Sequence, residues 1–348
     1  MGHYWTDPLT DSRWSDLVAR HPSASIFHTT GWLEALRRTY GFVPALLTTS
    51  PEDRPLVNGI VLCRVMSRLT GRRLVSLPFS DHCRPLVDDP ADLAALLETL
   101  VRTREDEGWK YVEIRSLDDP AEKGGRAAGF APCRVYHFHV LDLGPSLDEL
   151  AAGMHRDCVV RKIRRAERDG LRVEAGRSVA LLRQFYGMQL KTRRRLRLPP
   201  QPFAWFRNLA ECLGEQMTVR VASLKGRAVA GIITIAHRDT MVYKYGCSDQ
   251  DFNRHGGNQL LLWLAVREAK TRGLRQLDLG RTDFGHKGLL DFKERWGGRR
   301  STCAYQRYPD SKANPTPGRP LRYGSAILAL LPNTPLSIIG NIFYRHFA

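Results

Sequence analysis

Apolar residues return every three or four positions in two stretches near the N-terminus, 11–21 and 30–41, and each predicts an amphipathic helix. Between Pro44 and Phe79 the pattern changes to apolar runs over 44–50, 55–66 and 73–79, which predict strands. The stretch "PADLAALLETLVRTREDEG" opens with Pro90 at a first turn and stops at Gly108, the marks of a third helix. A strand over 109–117, a short helix over 120–130 and a strand with alternating faces over 134–143 complete this half.

The second half restates that order. It predicts a helix over 147–170, a strand over 171–176 and helices over 178–195 and 202–214. An antiparallel run follows over 218–226, 228–238 and 241–249. Then come a helix over 256–273, a strand over 275–281, a helix over 286–297 and a strand over 301–308. No sequence repeat recurs at a fixed period; what repeats is the order of elements. The fold class is therefore α/β of the α+β kind, and 348 residues are more than one ordinary core holds. The expected division is one domain over 1–145, a second over 146–308, a polar Pro-rich linker over 309–320 and an apolar segment over 321–348. From Tyr323 to Tyr344 there is no charged residue, yet Pro332 and Pro335 interrupt the run. Two short apolar helices that pack on the N-terminal domain or lie on a membrane surface are expected, rather than a span.

Composition narrows the partners. The formal net charge is +17, which favours polyanions such as nucleic acid, anionic lipid or phosphorylated substrates. Only ten of the 53 basic residues are lysine, and an arginine bias of that kind also follows from a GC-rich genome. Seven cysteines stand without a CxxC or CxxH pair, which argues for reduced thiols in the cytoplasm and against a disulfide framework or a zinc site. The first residues are polar and acidic and read as no signal peptide.

Candidate chemistry gathers around "DFNRHGGNQLLLWL". A strand, the turn at Gly256 and Gly257 and a helix start would present free N–H groups and a positive dipole end to an anion, with Arg254 and His255 adding charge. The competing reading is that two glycines merely let the chain turn. Two basic stretches, "RKIRRAERDG" with Arg161 and "KTRRRLRLPPQP" with Lys191 and Arg194, are solvated faces or acceptor-binding surfaces. Asp81 and His82, straight after a strand, are turn residues or cleft residues suited to proton transfer. His137 and His139 share one strand face but are too few to make a metal site. No P-loop, HExxH motif or Ser-His-Asp signature occurs.

The strand pair, basic glycine loop, long helix, strand, helix and strand resemble the acetyltransferase (GNAT) fold. Arg254, Gly257 and Gln259 stand at the places of that fold's pyrophosphate loop, with Gln259 departing from its last small residue. The whole stretch from Tyr245 to Gly298 resembles the FemAB-like branch, the peptidoglycan interpeptide-bridge aminoacyltransferases and their relatives. Asn258-Gln259 before Leu-Leu-Leu-Trp, Asp278-Leu279-Gly280 and "GLLDFKERWGG" carry the likeness. "RDCVVRKIRRAERDGLRV" and "SLPFSDHCRPLVDD" are similar to the subset found in bacterial polysaccharide-export (PEP-CTERM type) loci.

The resemblance implies tandem GNAT-like domains, each a mixed, mostly antiparallel sheet flanked by helices. It implies an acyltransferase that moves an acetyl or aminoacyl group to an amine or hydroxyl of a cell-envelope or exopolysaccharide precursor. The donor would be acyl-CoA (acetyl-CoA) or aminoacyl-tRNA, with no metal, and the acceptor a nucleotide- or lipid-linked sugar. The enzyme would be cytoplasmic, with peripheral contact at the inner membrane as an extension. Gly256, Gly257, Asn258, Gln259 and Arg254 would bind the donor. Lys293 would face anionic groups or the transition state, while Tyr245 and Asp283 stand near the proton transfer by their place at a strand end and in a post-strand loop. Asp81, His82, Arg161, Lys191 and Arg194 would hold the acceptor. The alternatives are a tRNA-dependent peptidoglycan-precursor aminoacyltransferase and a non-catalytic basic module at a membrane surface.

Overall fold

The computed structural model describes residues 2–117, 128–309 and 331–346. The chain divides into two units. The first takes the residues up to Tyr136, a return segment from Thr302 and the final turns from Ile342; the second takes His137–Ser301 and the residues up to Asn341.

In the first unit β1 (Tyr4–Thr6), β2 (Val43–Thr48), β3 (Ile60–Ser67) and β4 (Gly71–Ser76) pair antiparallel in that order. The next neighbour, β5 (Tyr111–Ser116), is parallel to β4, and a parallel step needs a crossover. Helix α3 (Pro90–Asp106) supplies it, lining Leu93, Leu96, Leu97 and Leu100 against Leu62, Leu74 and Val112 of the sheet. The sixth strand comes from far along the chain: Ala304–Tyr308 of β12 (Arg299–Tyr308) pairs antiparallel with β5. Helices α1 (Ser12–Arg20) and α2 (Thr30–Tyr40) bury Trp14 and Trp32 completely.

The second unit repeats this order. β7 (Arg172–Gly176), β8 (Met217–Leu224), β9 (Arg227–His237) and β10 (Thr240–Ser248) pair antiparallel, β10 is parallel to β11 (Gln276–Thr282), and His137–Asp142 of β6 (Ala131–Asp142) closes the order antiparallel to β11. The crossover is α8 (Gly257–Thr271), whose Leu261, Ala265, Val266 and Ala269 pack on Ile232, Met241 and Leu277. Both units are thus mixed, mostly antiparallel sheets flanked by helices, with one parallel step at the same place.

The continuous helix expected over 147–170 is broken. Gly153 ends α4 (Leu147–Gly153), and His155 restarts the chain: its Nδ1 accepts from the N–H groups of Asp157 and Cys158. A wide π turn, Arg156–Val160, then leads into α5 (Arg161–Arg168). Helices α6 (Val179–Arg195), α7 (Phe203–Leu213) and α9 (Lys287–Glu294) complete the unit. The short helix expected over 120–130, the linker after Pro309 and residues 321–330 of the apolar segment fall largely or wholly outside the described residues. The remainder of that segment is α10 (Asn333–His346). Its first turns belong to the second unit, where Leu336 is buried against Leu190 and Tyr186 Oη lies 3.0 Å from Ser337 Oγ. Its last turn belongs to the first, where the carbonyl of His346 accepts from Arg73 Nη2 at 2.6 Å. No described helix is long and apolar enough to cross a membrane.

Candidate functional site

The two parallel steps are built alike but finished differently. In the first unit β4 and β5 stay paired from Arg73 and Tyr111 to Ser76 and Ile114. Just beyond, the chain's own segment joins β5: the N–H of Cys83 donates to the carbonyl of Arg115 at 2.6 Å, and Ser76 Oγ donates to the carbonyl of Cys83 at 2.8 Å. The following helix start is also satisfied internally, because the Asp89 carboxylate accepts from the N–H of Ala91 and Pro90 has no N–H to offer. Asp81 and His82 lie in this closing segment. The His82 ring is buried edge-on to Phe27 at 5.1 Å, and the carbonyl of Asp81 accepts from Tyr305 Oη at 2.9 Å.

In the second unit the step is open. β10 and β11 are paired only from Thr240 and Gln276 to Val242 and Asp278. From there β10 follows β9 to Ser248, through a bulge between Tyr243 and Tyr245, while β11 follows β6 to Thr282, through a bulge between Asp278 and Gly280. The bulges sit where the two strands part, as a bulge bends and twists the strand that carries it. Past that level the ladder between them ends, so their facing edges present backbone donors and acceptors.

Side chains brace both edges. Lys293, on α9, is 2% exposed and its Nζ donates to the carbonyls of Gly280 at 2.7 Å and Arg281 at 2.9 Å. On the other strand Tyr245 Oη accepts from Trp205 Nε1 at 2.7 Å. Asp283 follows β11 as an exposed residue whose carbonyl accepts from the N–H of His286. Near Lys293 lies a polar group that the sequence offered only as one of two histidines too few for a metal site. His139 stands opposite Gly280 in the register, is fully buried, and neither ring nitrogen has a hydrogen-bond partner. Burial first, and then the Lys293 ammonium, push its pKa down to about 4, so the ring is neutral. Thr282 Oγ1 and Trp296 Nε1 are likewise buried without partners. Unsatisfied groups of this kind are rare in native interiors. His137, on the same strand face as His139, packs against Phe284 at 4.0 Å between ring centroids. No group of three potential metal ligands occurs among the described residues.

The start of α8 completes the site. Gly256 is its N-cap, with φ +74°, and as a glycine it has no side chain to accept from the first turn. A Cβ on Gly256 would lie 2.3 Å from the carbonyl oxygen of Lys162, and one on Gly257 2.8 Å from Ala230 Cβ. The two glycines therefore do more than turn the chain: they let α5 and β9 approach the helix start. Gln259 is half-buried, and Asn258 Oδ1 is buried with no partner. The exposed Arg254 donates from Nε to His255 Nε2 at 3.2 Å, and His255 Nδ1 lies 2.5 Å from Asp169. Asp169 also lines a cavity of about 440 Å³ with Arg172, Ser223, Lys225 and Gly226.

The remaining sequence-predicted residues are engaged elsewhere in the unit. Lys191 pairs with Asp249 at 2.6 Å, and that bond, with Arg227 at 2.9 Å, holds the Asp249 carboxyl below its ordinary range. Arg194 donates to Asn333 Oδ1 at 2.6 Å, and Arg161 is exposed and pairs with Asp157 at 3.0 Å.

Residues 154–288, the stretch that carries the parted strands and the glycine turn, match the family model described as an acetyltransferase (GNAT) domain. The protein is an acyltransferase of the GNAT fold. Over the whole chain the likeness is to solved structures of similar fold. The crystal structure of FemX is 16% identical, with 87% of this chain and 97% of that one covered at a TM-score of 0.69. A tandem GNAT protein from the clavulanic acid biosynthesis pathway is 11% identical, with 90% and 100% covered at 0.56. The C-terminal domain of a putative lysylphosphatidylglycerol synthetase from Agrobacterium fabrum is 13% identical, with 88% and 93% covered at 0.57. At these identities the likeness is one of fold. No curated protein matches the chain.

Proposed function

We propose that the second unit binds an acyl donor between the parted ends of β10 and β11 and passes the acyl group to an amine or hydroxyl of a cell-envelope or exopolysaccharide precursor. The observation that carries this reading is the open parallel step beside an uncapped helix start, set against its closed counterpart in the first unit. The N–H groups of Gly257, Asn258 and Gln259, with Arg254 beside them, suit the phosphates of acyl-CoA. The acceptor nitrogen or oxygen attacks the acyl carbon, the bond to the donor sulfur breaks, and the proton the acceptor loses ends on the departing thiolate, giving the free thiol of coenzyme A. Backbone N–H groups on the parted edge of β10 are suited to the oxyanion that forms between those events. Lys293 acts by positioning: its two hydrogen bonds fix the edge of β11.

A nucleotide- or lipid-linked sugar acceptor, a place in polysaccharide-export loci and cytoplasmic action rest on the sequence resemblance. An aminoacyl-tRNA donor is the second reading, favoured by the exposed Arg161, Arg164, Arg165 and Arg168 on and beside α5. Calorimetric titration with acetyl-CoA tests the first. Gln259→Glu adds a negative charge at the donor's phosphates while keeping the helix start favourable. Wild-type binding that this variant abolishes is expected. If the wild type takes up no heat with acetyl-CoA or coenzyme A, the thioester reading fails and charged tRNA becomes the donor to try.

A further inference from the structure

The first turns of α10 run along the segment that follows α6. Arg194 meets Asn333, and the carbonyl of Pro200 lies so close to Gly340 that a Cβ there would fall 2.1 Å from it. Residues 195–199 therefore flank helix positions 334–339 within the second unit. With 100° between successive helical residues, Leu336 and Gly340 share the inner face, and Pro335 and Ile338 share the outer one. Burial agrees: Leu336 is fully buried, whereas Ile338 is 53% exposed. In the flanking segment Leu196 is 50% and Leu198 40% exposed, alternating with the exposed Arg195 and Arg197. Arg197 is held at φ +56°, a left-handed conformation that costs a non-glycine residue strain and is kept only where the surroundings impose it. Neither 179–200 nor 331–346 contains an acidic residue.

Large aliphatic side chains that stand outward beside arginines, with no carboxylate among them, are unusual on a surface meant only for water. We propose that this flank docks on a bilayer carrying anionic headgroups. Leu196, Leu198 and Ile338 enter the headgroup–acyl boundary, while Arg195 and Arg197 pair with lipid phosphates. The charge complementarity selects an anionic bilayer over a second copy of this chain, whose same flank would bring arginine against arginine. The inference goes beyond the acyl-transfer reading and stands whichever donor the second unit uses.

Co-sedimentation of the full chain with phosphatidylcholine vesicles, with and without one quarter phosphatidylglycerol, tests it. The wild type should pellet with the anionic vesicles and be released by raised salt. Arg195→Ala combined with Arg197→Ala should weaken binding about thirtyfold, taking roughly fivefold per cation near the surface. Ile338→Asp and, separately, Leu196→Ser should weaken it at unchanged urea midpoint, since both side chains already face out. The proposal is overturned if the wild type stays in the supernatant with both vesicles, or if all these variants pellet as it does. It is equally overturned if light scattering finds a dimer that Ile338→Asp dissolves while no vesicle binding occurs.

Discussion

Replacing Lys293 by Met separates a substrate-facing ammonium from one that holds the fold. Met keeps most of the aliphatic length and removes the charge. The loss is two hydrogen bonds, to the carbonyls of Gly280 and Arg281, from a side chain 2% exposed. Hydrogen bonds made by a charged donor contribute about 1.5–3 kcal/mol each. Against that stands the desolvation of a buried ammonium, which Met does not incur. A net loss of about 2–4 kcal/mol follows, read as a lowered urea midpoint by tryptophan fluorescence, with Trp296 one turn away as reporter. Lys293→Arg should not rescue, because a planar guanidinium is wider than the ammonium it replaces. A second readout comes from His139, whose pKa is lowered in part by the Lys293 charge: its imidazole resonances should titrate at higher pH in the Met variant. A stability within 0.5 kcal/mol of wild type, roughly the scatter of surface substitutions, would refute the bracing role.

Two further outcomes test the framework of the two units. Glu113 is buried between Arg115 at 2.9 Å and Arg307 at 2.6 Å; burial alone would raise its pKa, but the two guanidiniums outweigh it and hold it at about 2. A depressed carboxyl contributes stability above its unfolded pKa and loses it as pH falls, so roughly 3 kcal/mol should disappear between about pH 4.5 and pH 2, and Glu113→Gln should flatten that acid limb of a denaturation series. Gly256→Ala and Gly41→Ala place the same methyl at nearly the same φ, +74° and +72°, but only the first meets a backbone oxygen. Gly41→Ala should cost about 1 kcal/mol and Gly256→Ala at least twice that in urea denaturation; equal costs would mean that α5 does not press on the α8 start.

Much of the fold is written locally. The helix α8 is legible because apolar spacing, a glycine start and Gly273 all agree, and α3 because Pro90 and Gly108 bracket it. The break at Gly153–His155 was also signalled, since glycine ends helices and a polar ring can cap the next one, yet the apolar spacing on both sides masks it. What sequence pattern cannot carry is register. The parting of β10 from β11 depends on two bulges and on which partner each strand follows, and none of this changes the apolar alternation. Lys293 illustrates the same limit at one residue: a lysine among Leu289, Leu290, Phe292 and Trp296 is compatible with a snorkelling, a substrate-facing or a buried ammonium. That its ammonium is buried on two carbonyls thirteen and twelve residues earlier is visible only in the structure. His139 was visible as one of a pair on a strand, but its missing partners were not.

The strand that completes the first unit bears on how the chain is born. Thr302–Tyr308 leaves the ribosome roughly 160 residues after Tyr136. At about 5–20 residues per second the wait is on the order of 8–30 s. Throughout that interval β5 has a bare edge facing where β12 will dock, and unpaired edges recruit other strands. The nascent first unit therefore keeps an unpaired strand edge until the second has been almost wholly translated, so the completion of its sheet is timed by synthesis.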